Sequence, residues 1–136
     1  MPSLIKRRQN IKEKELEVFI KVYAQIEALH SEIGLLSRKN PNDGVSKFKL
    51  QFINRALREA NSILTDKQKP FADFRGFDEA SIPTTSDVTL ILAQYLSCLE
   101  EIRCANIESG FNKNWFWKTD AGDLKIPTAP PKKTRR

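Results

Sequence analysis

The side chains that could do chemistry here are few, and their spacing argues against most reactions. There is one histidine, His30. A single imidazole cannot build a zinc ligand set and leaves little scope for acid–base work. Cys98 and Cys104 are six residues apart. On a helix that places them about 240° apart around the axis, so they cannot pair with each other. They read as small core residues. Glu100, Glu101 and Glu108 cluster in one helical segment. A bundle di-metal site needs Glu-x-x-His on two helices, and no such pattern occurs, so these acids read as a solvated or partner-facing surface. Gly34, Gly44, Gly76, Gly110 and Gly122 are too scattered to cradle a phosphate. No serine sits in a nucleophile elbow. The expectation is no enzyme, no metal, no cofactor and no small-molecule substrate.

What remains is binding chemistry. In a helix over residues 45–64, at about 100° per residue, the polar arc holds Lys47, Gln51, Asn54, Arg55, Arg58, Asn61 and Ser62. Glu59, the only acid of this helix, falls just outside that arc. Most exposed helix faces mix both signs. Cations and amides without an anion suit phosphate and sugar contacts, although a plain solvated surface has the same composition. Lys67, Lys69 and Arg75 follow on the next loop and could extend the track. The run Phe111–Lys118 interleaves rings with cations and amides. Trp115 and Trp117 could stack unpaired bases or fold back over the bundle. Lys49 is an anomaly, projecting from the apolar face of the same helix. It could snorkel past the helix end or mark a surface covered in an assembly.

The elements that must position these residues are helices. Phe19, Val22, Ile26, Leu29, Ile33 and Leu36 alternate steps of three and four, a bundle-type seam over about residues 10–38. Asn40-Pro41-Asn42-Asp43-Gly44 breaks it. The second helix has a broad apolar face of Val45, Phe48, Phe52, Ile53, Ala56, Leu57, Ala60, Ile63 and Leu64. The short linker predicts an αα-hairpin. Residues 65–85 predict one short helical turn, with Phe71, Phe74 and Phe77 plugging the bundle end. Ser86 is the expected N-cap of a third helix, striped by Val88, Leu92, Tyr95, Leu99 and Ile102 and ending before Gly110. The fold class predicted is all-α, a small bundle of three long helices. The expected layout is a basic N-terminal arm over 1–9, the bundle over 10–118, and a flexible, basic, Pro-rich tail over 119–136.

The net charge of +6 belongs to the ends. Lys6, Arg7, Arg8, Lys12 and Lys14 against Glu13 give residues 1–14 a charge of +4. Lys125, Lys132, Lys133, Arg135 and Arg136 give residues 125–136 a charge of +5, leaving −3 between. The overall charge alone therefore does not mark a nucleic-acid-binding domain. No run approaches the roughly 18 apolar residues of a membrane span, and the start is charged where a signal peptide would be apolar. A cytoplasmic location is expected. The first 14 residues have too few apolar anchors for membrane-surface attachment.

An all-helical chain of this size, with basic ends, no catalytic residues and one cationic, amide-rich helix face, resembles the small helical subunits of CRISPR interference complexes. The resemblance is one of architecture and covers residues 10–110. It implies a role in antiviral defence in which stacked copies hold nucleic acid through backbone contacts, without reading sequence. It would give that role to Lys47, Arg55 and Arg58, helped by Gln51 and Asn54. Two functions are thus expected. One is an accessory subunit binding DNA or RNA backbone, with protein neighbours that include copies of itself. The other is a helical protein–protein adaptor or self-associating module with no nucleic-acid role, docking through the first-helix seam and the phenylalanine loop.

Overall fold

Helix α1 (Glu13–Lys39) follows the three-four seam of the sequence: Leu16, Phe19, Val22, Ile26 and Ile33 are buried. Acids in its first turn and Arg38 and Lys39 in its last complement the helix dipole. The structure is a computed structural model that describes residues 12–119 and 125–132. The expected arm at 1–9 and the tail cations Lys133, Arg135 and Arg136 lie outside the described residues.

Helix α2 (Lys47–Ile63) begins at Ser46, whose hydroxyl accepts from the Lys49 backbone N–H. The ion pair Lys49–Glu32, at 3.6 Å, joins the start of α2 to the end of α1. Phe52 and Ala56 border one hollow with Ala28 and Gln25 further back along α1, so the two helices form the antiparallel hairpin. Lys49 thus reaches an acid on the neighbouring helix from the edge of the apolar face.

Helix α3 (Thr85–Ala105) packs along α1 with Val88, Leu92, Tyr95, Leu99 and Ile102 buried. Its N-cap is Thr84, not Ser86: the Thr84 hydroxyl accepts from the Asp87 N–H at 3.2 Å. The reason is a short pairing with the α1–α2 linker. The Val45 N–H donates to the Pro83 carbonyl and the Thr85 N–H to the Asp43 carbonyl, which brings the chain into helix earlier. Gly44 lies in that pairing, and a Cβ there would come within 2.5 Å of the Ile82 side chain.

The all-α expectation fails beyond α3. The helix stops at Asn106, and a three-stranded antiparallel sheet follows: β1 (Ile107–Ser109), β2 (Trp115–Trp117) and β3 (Pro127–Thr128), in that order. Ile107 pairs with Trp117 and Ser109 with Trp115. Strands of two or three residues are too short to show an alternating pattern, although aromatic residues favour strands. Asn112 and Lys113 turn the β1–β2 hairpin with φ of 62° and 63°. Pro127, which has no N–H to donate, sits on the edge strand.

The segment from Lys125 to Lys132 is therefore not a free tail. A buried ion pair on α3 pins it. Arg103 Nε and Nη2 donate to the two carboxylate oxygens of Glu100 at 2.6 and 2.7 Å. The same guanidinium donates to the carbonyls of Ala129 and Pro130 at 2.6 and 2.9 Å. Glu100 in turn accepts from Tyr23 of α1 and from the Lys132 backbone N–H, both at 2.9 Å. Glu100 is 3% exposed and Arg103 5%. Glu100 thus belongs to the interior, while Glu101 and Glu108 face solvent.

Burial alone would raise the Glu100 pKa, but hydrogen bonds from Arg103, the Lys132 N–H and Tyr23 outweigh it and hold the carboxyl at about 2 instead of 4.5. A depressed carboxylate pKa adds stability above the unfolded value and loses it as pH falls towards the folded one. Urea denaturation should show a loss of about 3 kcal/mol between pH 5 and 2. Glu100→Gln should flatten that slope and be less stable at pH 7. Arg103→Ala should cost about 3–5 kcal/mol, because it leaves a buried carboxylate unpaired.

Candidate nucleic-acid interface

The outward face of α2 is set by what the helix buries. Leu50, Ile53 and Leu57 are fully buried and Ala60 lies beside them. Two amides join that side. Asn54 is 9% exposed; its Nδ2 donates to the Phe77 carbonyl at 2.9 Å and its Oδ1 accepts from the Phe77 N–H at 2.8 Å. One turn pair further on, Asn61 Oδ1 accepts from the Tyr95 hydroxyl at 2.7 Å, and its Nδ2 donates to the Phe74 carbonyl. The two amides clamp the loop that carries Phe74 and Phe77. Those rings meet at 5.3 Å, and Phe74 meets Tyr95 at 6.4 Å. They pack on the core beside the middle of α2 and α3, not at the bundle end, while Phe71 stays exposed and the short helical turn forms later, at Glu79–Ser81. Gly76 sits against the clamp with φ of 150°, where a Cβ would lie 3.0 Å from Asn54 Oδ1.

Asn54 is thus removed from the contact face. The helix is turned by about 50° from the setting that polarity alone suggests. The edge that turns outward carries Phe48 and Phe52, 69% and 42% exposed, instead of the asparagines. Reading around α2 at about 100° per residue, the exposed arc runs Lys47, Arg58, Gln51, Ser62, Arg55, Phe48 and Phe52 over roughly 140°. Half-buried Glu59 falls within the same arc, at about 120° from Lys47, between Phe48 and Phe52 in angle and one turn beyond Arg55. Among the described residues, no acidic side chain pairs with Lys47, Arg55 or Arg58. By contrast, Lys49 pairs with Glu32, Lys69 with Asp66 and Lys132 with Glu27.

The two rings meet edge-to-face at 5.1 Å, and the Arg55 guanidinium lies 5.4 Å over the Phe52 ring. Sequence reading placed both rings in the core because they are apolar and neighbour the buried stripe. The signal that could have moved them outward is the pair Asn54 and Asn61, whose amides match a loop backbone that must be satisfied when buried.

The remaining candidates go elsewhere. Lys67 and Lys69 line a cleft with Cys98, Glu101 and Asn106 of the α3 end, and Lys69, paired with Asp66, also lines a hollow with Asn61 and Ser62 of α2. Trp117 is 5% exposed and meets Phe19 edge-on at 5.5 Å. Trp115 is half-buried against the core. Both tryptophans cover the bundle and offer no open ring face comparable with Phe48. Cys98 and Cys104 are half-buried free thiols. Among the described residues no group of three metal-ligating side chains converges, and no helix is long and apolar enough to cross a membrane.

Compared with protein-family models, curated proteins and solved structures, the chain matches none.

Asn54→Ala should cost about 1–3 kcal/mol in urea denaturation, because it leaves the Phe77 N–H and carbonyl without partners. Asn54→Asp should also destabilise, since a carboxylate cannot donate to that carbonyl.

Proposed function

We propose that this chain is a non-catalytic accessory subunit of a nucleoprotein complex, holding nucleic-acid backbone on the outer face of α2 without sequence readout. The observation that carries the reading is the set of three exposed cations, Lys47, Arg55 and Arg58, that share one arc and have no acid partner among the described residues. Their span is about 16 Å along the helix, enough to meet several phosphates of one strand. Gln51 and Ser62 lie between them and can donate to phosphate or sugar oxygens. Apart from half-buried Glu59 beside the phenylalanines, the acids lie off this arc: Glu17 on α1 and Glu101 on α3, with Glu32 of α1 paired to Lys49. A polyanion laid on α2 meets cations first, and the opposite surfaces are left to protein neighbours, copies of the chain among them.

The resemblance to small subunits of CRISPR interference complexes supplies the setting for this proposal. Such a subunit works in the cytoplasm, where it contributes charge and shape to an assembly whose pairing is done by nucleic acid. In place of Asn54, the backbone contacts fall to Lys47, Gln51, Arg55 and Arg58.

Backbone binding has a defined salt signature. The logarithm of affinity falls with the logarithm of salt in proportion to the number of phosphates neutralised. Charge reversal by Arg55→Glu with Arg58→Glu should weaken binding to every sequence alike and reduce the salt slope by about two. Fluorescence anisotropy on unrelated oligonucleotides at several salt concentrations reads both effects. Equal binding by parent and double variant would remove α2 from the interface. No binding by either, together with a mass by light scattering that grows with concentration, would favour the helical adaptor instead.

A further inference from the structure

The cationic arc of α2 has a feature that backbone contact alone does not use. Phe48 is 69% exposed and Phe52 42%, side by side on the arc's margin. A single exposed apolar residue is ordinary on a protein surface. Leu90 and Phe111 are of that kind here. Two phenyl rings in contact at 5.1 Å, one of them beneath a guanidinium at 5.4 Å, form a small aromatic platform rimmed by charge.

We infer that the ligand of this face is single-stranded nucleic acid, and that one or two unpaired bases stack on the Phe48–Phe52 platform while Lys47, Arg55 and Arg58 hold the adjoining phosphates. This rests on the reading of α2 as a nucleic-acid face and names the class of nucleic acid it takes. The charge of the surroundings selects the occupant. The rings adjoin three cations with no acid partner among the described residues, against a single half-buried acid, Glu59, and that balance suits a polyanion that also carries flat apolar faces. A duplex keeps its base faces inside its stack and presents phosphates only, so it would leave both rings wet. A single strand offers base and phosphate together, and base–aromatic stacking is tolerant of sequence because every base has a π-face. The division of labour is also visible in the two rings. Phe52 lies under Arg55 and borders a shallow hollow shared with Ala28 and Leu29 of α1, so it serves as the backing. Phe48 stands further into solvent and carries the free face.

The test uses the full chain and two labelled probes with equal numbers of phosphates, a mixed-sequence single strand and a duplex, at matched salt. The parent should bind the single strand at least about tenfold more tightly than the duplex. Phe48→Ala should lower single-strand affinity about tenfold, leave the duplex affinity where it was, and leave the salt slope unchanged. Phe48→Tyr should retain binding. Phe48→Leu, which keeps an apolar side chain without a π-face, should lose binding like Phe48→Ala. Circular dichroism melting of each variant checks the fold, and so exposed a side chain should shift it little.

Equal affinity for duplex and single strand, or a Phe48→Leu variant that binds like the parent, would overturn the stacking inference. If the Arg55→Glu, Arg58→Glu double variant still lost binding in that case, the backbone reading would stand by itself. Loss of neither would overturn both.

Discussion

Asn54 places both halves of its amide on the backbone of Phe77, at 2.9 and 2.8 Å, from the middle of a helix whose other inward residues are aliphatic. Buried amides left unpaired are costly, so this side chain has one acceptable environment, and α2 is oriented to provide it. Asn61 repeats the arrangement against Tyr95 and Phe74. Together with Leu50, Ile53 and Leu57, the two asparagines fix the rotation of α2 about its axis. Everything on the opposite side follows from that rotation, including the placing of Lys47, Arg55 and Arg58 in water and the exposure of Phe48.

The rest of the molecule divides its charges in a way that leaves α2 apart. Glu27 pairs with Lys132, Glu32 with Lys49, and Glu100 with Arg103. The Glu100–Arg103 pair is the second organising contact. It anchors Ala129 and Pro130 by their carbonyls and so brings the edge strand β3 against β2, which covers Phe19 with Trp117. With its lone pairs and protons satisfied by Tyr23, Lys132 and the chain backbone, the pair meets the condition under which a buried ion pair is tolerated. A chain whose middle carries a net negative charge can still offer a cationic surface, because Lys47, Arg55 and Arg58 share a single arc of α2 and have no acid partner among the described residues.

The helices could be read from the sequence because the steps of three and four between Phe19 and Leu36, and between Val88 and Ile102, admit only one period. The hairpin followed from the shortness of the linker. What escaped was the edge of each apolar stripe. Polarity says that a phenylalanine goes inside and an asparagine outside, and α2 reverses both, because a loop backbone needed amide partners that phenyl rings cannot supply. Glu100 and Arg103 escaped for a related reason. Each is a surface residue type, and only their joint geometry with residues 128–132 makes burial acceptable. The sheet was illegible because strands this short carry no period, and their pairing depends on a guanidinium on a helix more than 20 residues earlier in the chain. At the candidate interface the three cations and Gln51 were legible, whereas the aromatic platform beside them was not.

The most direct measurement is a backbone-amide chemical-shift map of the labelled protein titrated with a single-stranded oligonucleotide. Shifts concentrated at Lys47, Phe48, Gln51, Phe52, Arg55 and Arg58, with α3 residues around Glu101 and Glu108 unmoved, are the expected result. Shifts centred instead on the Trp115–Trp117 hairpin or on α3, with α2 silent, would contradict the assignment of this face.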